Sequence, residues 1–249
     1  MSNLLAIDIG NTNITVGLFK EKTLSGRTKI PTNAYSMYIR KIKPLLNCRA
    51  DLNAIISSVV PLALARLIVE LRRLSPAISI TILGKDKKVP IKNLYKVPSE
   101  VGQDRLVNAY AVSKLYGAPA VVIDLGTAIT YDVVNKKGDY LGGLILPGIE
   151  LSLRSLYRHT ALLPKVELKD STSIIGKDTV NSMRGGILHG FGAMSDGLAS
   201  RYKKLLGKDT KIIATGGNAK LIKKYAKSIR IVDEDLTLKG LYLIAGNIC

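Results

Sequence analysis

The 249-residue sequence predicts an α/β protein built as an imperfect duplication of one unit. Strand-like and helix-like periodicities alternate along its length. A strand ending in Asp-x-Gly opens each half, at Asp8-Ile9-Gly10 and again at Asp124-Leu125-Gly126. Between the two, Gly117-Ala118-Pro119 interrupts the pattern and marks the expected boundary, giving halves of residues 1–117 and 118–249.

Taken in order, Leu4 to Ile9 reads as a strand, and Ile14 to Lys20 returns as its partner across a tip of small polar residues. A third strand is expected near Leu24 to Ile30, followed by helical spacing from Ala34 to Leu46. The apolar run Ala54 to Val60 reads as a buried strand, Leu62 to Leu74 as a helix and Ile78 to Leu83 as another strand. A loop carrying Pro90 and Pro98 leads to a helix over Asp104 to Tyr116. The second half repeats the scheme. Strand Ala120 to Asp124, its return after the turn and the Gly-rich strand Tyr140 to Leu146 precede a helix after Pro147. A long helix from Thr179 to Leu206, strand Lys211 to Ala214, helix Asn218 to Ala226, strand Ile229 to Val232 and a closing helix from Asp235 complete the chain.

Hydrophobic residues at 47% and charged residues at 22% match ordinary globular chains and exclude disorder. The longest apolar run, Ala54 to Ala65, is broken by Ser57, Ser58 and Pro61 and falls short of the ~20 residues a membrane span requires. Met1-Ser2-Asn3 enters the first strand without a charged leader, so a cytoplasmic protein is expected. Cys48 and Cys249 form neither a disulfide framework nor a metal-binding CxxC pair. The formal charge of +18 attracts anions. Its lysines are scattered, Trp is absent and there are two Phe, so the aromatic platform for stacking bases is lacking and nucleic acid is not the expected partner.

The chemistry concentrates in the two turns. Gly10 lets the backbone approach a ligand, while Asn11, Thr12, Asn13 and Thr15 supply donors suited to phosphate oxygens. Asp8 repels phosphate unless a cation lies between them, which implies Mg2+ held through Asp8, directly or through water. An Asx-rich hairpin accounts for one such turn. Its recurrence at Asp124-Leu125-Gly126-Thr127 argues for a two-sided polyphosphate clamp, with ATP the economical ligand. Neither a P-loop nor a dinucleotide fingerprint is present; Gly176-Lys177-Asp178-Thr179 lacks the upstream glycine. Thr215-Gly216-Gly217-Asn218 joins a strand to a helix and could pass adenosine along its backbone, or serve only as a turn. In Gly102-Gln103-Asp104-Arg105, Asp104 lies where a helix dipole favours the ionised carboxylate a general base needs, and Arg105 could grip a carboxylate.

With these motifs in place the sequence resembles type III pantothenate kinases, members of the acetate and sugar kinase, heat-shock chaperone and actin superfamily. The resemblance rests on DIGNTNITVGLF at 8–19, YKVPSEVGQDR at 95–105, DLGTAITYD at 124–132, GGLILPGIELSLRSL at 142–156, GKDT at 176–179 and ATGG at 214–217. It implies duplicated ribonuclease H-like, actin-like ATPase halves with a central ATP cleft, and transfer of the ATP γ-phosphate to pantothenate, the first step toward coenzyme A. By resemblance Asp104 is the proton acceptor, and Tyr95, Gly102, Gln103, Asp104, Arg105 and Thr179 bind pantothenate. Asp8, Ile9, Gly10, Asn11, Thr12, Asn13, Ile14, Thr15 and Thr127 meet ATP, joined by Gly216 and Gly217. Asp124 is the ligand of a monovalent cation, K+ or NH4+. A homodimer is implied, with Thr179 near the partner subunit. Gln103 departs from the small residue expected there.

Two rival readings share parts of this pattern. A non-enzymatic, nucleic-acid-associated regulator would suit the charge but has no need of Asp104. Another phosphotransferase or a polyphosphate hydrolase of the same superfamily would share the Asp8 and Asp124 turns but not the Tyr95 to Arg105 segment. His159 and His189 have no Cys or second His at ligand spacing and are expected to be structural.

Overall fold

Leu5, Ile7 and Ile9 alternate with Leu4, Ala6 and Asp8 along the first strand, and this period of two places the two sets on opposite faces of a sheet. The computed structural model of the chain describes residues 3–46, 52–170 and 173–246. Met1, Ser2, Cys48 and Cys249 lie outside the described residues.

In the first unit β1 (Asn3–Ile9) pairs antiparallel with β2 (Asn13–Lys20), and β2 with β3 (Thr23–Pro31). On its other side β1 pairs parallel with β4 (Leu52–Ser58), which pairs parallel with β5 (Ser79–Ile82). The order is β3-β2-β1-β4-β5. Leu5, Ile7, Ile9, Ile14, Val16 and Ile56 pack on one face against Tyr38 and Ile42 of α1 (Tyr38–Ile42) and Ala63, Leu67 and Leu71 of α2 (Pro61–Leu74). The helical spacing from Ala34 to Leu46 forms no single helix: α1 is flanked by 3-10 turns at Tyr35–Met37 and Lys43–Leu45. Pro44 removes a backbone donor there. β4 ends at Ser58 and not at Val60, because Val60 precedes the proline that opens α2 and is held extended.

The opposite face of this sheet carries α7 (Leu236–Ala245), the last helix of the chain, which packs on β1, β2 and β4. Phe19 stacks on Tyr242 at 4.6 Å between ring centroids. Helix α3 (Gln103–Leu115) meets α7 where Gly240 lies against Val107 and Ala111. The first unit thus takes residues up to Ile91, Lys96–Ala111 and everything from Asp235, while Lys92–Tyr95 and Val112–Glu234 form the second.

In the second unit β6 (Ala120–Leu125) pairs antiparallel with β7 (Ala128–Val134), and β7 with β8 (Tyr140–Pro147). On its other side β6 pairs parallel with β9 (Lys211–Thr215), and β9 with β10 (Ile231–Val232). The order β8-β7-β6-β9-β10 repeats that of the first sheet strand for strand, so the duplication is one of topology as well as of motif. Val121, Ile123, Leu125, Ile129 and Tyr131 form a core with α4 (Ile149–His159), α5 (Thr179–Leu206) and α6 (Ala219–Lys223). Among the described residues, no helix is long and apolar enough to cross a membrane.

A Cβ at Gly240 would stand 2.7 Å from Val107 Cγ1 and 2.9 Å from the Val107 carbonyl oxygen, a backbone atom that cannot swing aside. Gly240→Ala is therefore expected to lose more by overpacking, about 1–3 kcal/mol, than the ~1 kcal/mol that alanine returns in helix propensity. Urea unfolding checks the sign.

Candidate functional site

The β1–β2 turn of the first unit is held by its own backbone and by residues from outside it. Its span is closed by Gly10 N–H donating to Asn13 O at 3.0 Å. The Thr32 hydroxyl donates to Gly10 O at 2.7 Å, and Thr32 N–H to Thr12 O at 2.9 Å. Tyr38 OH in turn donates to Thr32 O at 2.5 Å. Burial raises Tyr38 above the usual tyrosine pKa, helped by Tyr35 and opposed by Arg66, so it stays a donor. Thr32 and Tyr38 belong to this site, yet nothing in their sequence surroundings marks them.

Within the turn, Asp8 pairs in register with Thr15, on the face opposite Ile9 and Ile14. Asn11 and Thr12 are exposed at the tip, with Asn13 and Thr15 partly buried beneath them. Ile9 and Ile14 are wholly buried in the core, so only their main chains could serve a ligand. Gly10 is tightly fitted: a Cβ there would lie 3.3 Å from Asn13 O.

Asp104 stands in the first turn of α3, in the same unit. A Cβ at Gly102 would overlap Asp104 Oδ1 and lie 3.8 Å from Val59 Cγ1. Val59 N–H donates to Ile9 O at 3.1 Å. Through Val59 the end of β1 and the Gly102 peptide share one end of the sheet, so the Asp8 turn and Asp104 lie at the same end of it. Gln103 lies over Gly84, whose φ of +83° and missing side chain leave room for it. Arg105 is 8% exposed, a buried cation beside the acid.

At Asp104 the N-terminal helix position and burial act in opposite directions. Burial pushes its pKa above the usual carboxylate value, and this outweighs the Arg105 backbone N–H, the Arg105 charge and its own backbone N–H, which pull the other way. A half-hidden carboxylate with a raised pKa is a stronger base than a solvated one.

In the second unit Asp124 occupies the place on β6 that Asp8 occupies on β1, in register with Thr130 of β7 and Thr215 of β9. Three glycines converge on its turn. A Cβ at Gly126 would come 3.2 Å from Asp124 Oδ1, while one at Gly216 would overlap that oxygen and stand 2.7 Å from Leu125 C. At the N-terminus of α4, Gly148 N–H donates to Thr127 O at 3.1 Å, and a side chain there would strike the Thr127 and Gly126 carbonyls. Gly216 therefore walls the Asp124 carboxylate besides opening the turn to α6, and its φ is +89°. Asn218 N–H ties the same turn to Leu125 O at 3.1 Å. Thr127 and Gly217 are exposed. Sequence reasoning missed Gly148, whose only signal was its place between Pro147 and a helix.

Tyr95 also lies in the second unit, with its ring against Gly142; a Cβ there would come 3.1 Å from Tyr95 Cδ2. The main chain before it joins the sheet edge, Leu94 N–H donating to Tyr140 O at 2.9 Å. Asn93 Oδ1 accepts from Tyr95 N–H at 3.0 Å. Thr179 is the exposed first residue of α5, whose N-cap Asp178 accepts from Asn181 N–H at 2.9 Å. Asp132 was not foreseen as special. It is fully buried and accepts from Thr130 at 2.8 Å and Tyr140 at 3.0 Å, a satisfied acid behind this surface. His189 meets Tyr225 edge to face at 4.9 Å.

Among the described residues, no three His, Cys, Asp or Glu cluster as a metal cage. Mg2+ keeps water and takes one or two carboxylates plus phosphate oxygens, and the Asp8 carboxylate near the end of β1 is one donor of that kind.

Solved structures with this fold include component A of (R)-2-hydroxyglutaryl-CoA dehydratase from Acidaminococcus fermentans, at 15% identity with TM-score 0.55 over 100% of both chains. MreB5 of Spiroplasma citri bound to ADP aligns at 12% identity and TM-score 0.54, covering 100% of this chain and 97% of that one. Ethanolamine utilization protein EutJ from Carboxydothermus hydrogenoformans gives 12% identity and TM-score 0.54 over 97% and 89%. Two sheets of one topology, each opened by an acid-tipped hairpin, define the duplicated ribonuclease H-like halves of the actin-like fold. The sequence pattern of the type III pantothenate kinases matches residues 4–201, and the chain belongs to that family. Membership makes it a phosphotransferase of coenzyme A synthesis that uses ATP.

Two expectations follow. Gly216→Ala places a side chain at positive φ against Leu125 backbone and should cost at least ~1–2 kcal/mol of unfolding free energy. Gly186→Ala, in open space on α5, should instead gain about 0.5–1 kcal/mol. For Asp104, a raised folded pKa means its contribution to stability is present below the unfolded value and is lost as pH rises through the folded one. Asp104→Asn should therefore be at least as stable as the parent at pH about 7, with the advantage fading below about 4, where the acid is protonated in both states. Thermal unfolding across pH reads this out.

Proposed function

We propose that Asp104 is the general base that takes the proton of pantothenate's primary hydroxyl as that oxygen attacks the γ-phosphorus of ATP. The γ-phosphoryl group passes to the hydroxyl oxygen, the proton to Asp104, and ADP leaves. The observation that carries this reading is the Asp104 carboxylate, partly buried and with raised pKa, at the sheet end where the Asp8 turn is also found.

Gly10, Asn11, Thr12, Asn13 and Thr15 are assigned to the phosphate oxygens, with the main chain of Ile9 and Ile14. Asp8 holds Mg2+, which offsets the phosphate charge that the carboxylate would otherwise repel. Thr127, Gly216 and Gly217 are also assigned to ATP, and Asp124 to K+ or NH4+. Tyr95, Gly102, Gln103 and Arg105 bind pantothenate, Arg105 through the carboxylate. Thr179 completes the pantothenate pocket in a homodimer. Leu162, Ile174 and Ile175 are exposed at 91%, 74% and 72% on the segments that follow α4 and lead into α5, apolar side chains that a partner subunit would cover. A cytoplasmic location accords with this chemistry.

A coupled assay should show ATP consumption only with pantothenate, Mg2+ and K+ or NH4+ together, and equal consumption without pantothenate would refute the reading. Asp104→Asn should lower turnover by about 100-fold or more while leaving the fold intact. In the parent, kcat/KM should fall on the acid side with a midpoint above the ~3.9 of an ordinary aspartate; a midpoint at or below that value argues against Asp104 as the base.

A further inference from the structure

In both sheets the strand beyond the central one carries a buried hydroxyl residue in register with the turn's aspartate. Ser57 pairs with Asp8 and Thr215 with Asp124, at 0% and 2% exposure. Parallel register puts Ser57 and Asp8 on one face of the first sheet, opposite the core of Leu52, Ala54 and Ile56. Two residues on, Val59 bonds to Ile9 O and lies beside Gly102. Ser57 thus stands on the strip that runs from Asp8 toward Asp104.

The Ser57 hydroxyl has no hydrogen-bond partner among the described residues. A buried, unmade hydrogen bond costs free energy, and a β-branched or apolar residue would suit a central strand better. Neighbouring Ser58 differs: its hydroxyl donates to Val60 O at 3.3 Å and accepts from Val60 N–H at 3.1 Å, capping the route into α2. Ser57 has no such local task.

We infer that Ser57 is a positioning residue for the hydrated magnesium that Asp8 holds. Its hydroxyl oxygen accepts a hydrogen bond from a water ligand of that ion, whose protons are made strong donors by the charge. The residue acts through the metal's water and touches no reacting atom. This rests on the assignment of Asp8 to Mg2+ given above. Second-layer partners of this kind orient ligands and tune metal affinity, and losing one weakens metal binding by about 10–100-fold.

The test is calorimetric binding of a non-hydrolysable ATP analogue to the full chain, with and without Mg2+ and with pantothenate absent, beside thermal unfolding of the unliganded protein. For Ser57→Ala the gain in nucleotide affinity that Mg2+ confers should shrink by about 10-fold or more. Affinity without Mg2+ should hold, and the unfolding temperature should stay level or rise, because an unmade hydrogen bond has been removed. Ser57→Cys, of similar size and a weak acceptor, should behave like alanine. An unchanged magnesium effect in both variants overturns the inference, as does a fall in unfolding temperature with both affinities lowered alike, which marks a structural hydroxyl. If the parent itself gains nothing from Mg2+, the Asp8 assignment fails and the inference with it; the parent titration separates that failure from a defect specific to Ser57.

Discussion

Register between the central strand of each sheet and its two neighbours is the constraint on which the rest of this structure depends. β1 pairs antiparallel with β2 on one side and parallel with β4 on the other, so Asp8 finds Thr15 and Ser57 at its own level. β6 repeats the arrangement, with Thr130 and Thr215 flanking Asp124. A slip of one residue would carry Asp8 into the core and Ile9 out of it, which the burial of Leu5, Ile7 and Ile9 forbids. The polar end of each strand is therefore held in place by its apolar remainder.

Glycine does the complementary work of bringing backbone close to those carboxylates. Gly102 leaves room for Asp104, and Gly126 and Gly216 for Asp124. At Gly216 two demands coincide, since the turn into α6 needs positive φ and the Asp124 carboxylate needs the space. Gly148 donates its N–H to the Thr127 carbonyl. Acid and glycine stand together in each unit, and the family to which the chain belongs uses ATP.

The Asp104 environment shows how position along a helix and depth in a structure compete. An N-terminal location favours the ionised acid, and the backbone N–H groups act in that direction. Desolvation acts against it and prevails, because removing water from the carboxylate costs more than the two backbone N–H groups and the Arg105 charge return. For the proposed base this is the useful direction, since the group takes up a proton more readily than a solvated aspartate.

Much of this was legible from local chemistry. The α/β class, the order of elements, the span Thr179–Leu206 and the repeated Asp-x-Gly turn follow from periodicity and from residues that act on their immediate neighbours. Breaks in the pattern were less so. The single helix expected from Ala34 to Leu46 dissolves at Pro44 into short turns. Other features lay beyond sequence reach because they join distant segments: Thr32 and Tyr38 bracing the first turn, Gly148 and Gly216 closing on the second, Ser57 standing level with Asp8. The closing helix packs on the first sheet although it follows the second in the chain, through Phe19, Tyr242 and Gly240. By itself the sequence determined which strands end in an acid and a glycine, since that is a matter of neighbouring residues. Which hydroxyls and glycines stand around those acids, and whether Asp104 is easier or harder to ionise, only the tertiary structure decided, because both depend on what pairs across strands and on how much water is excluded.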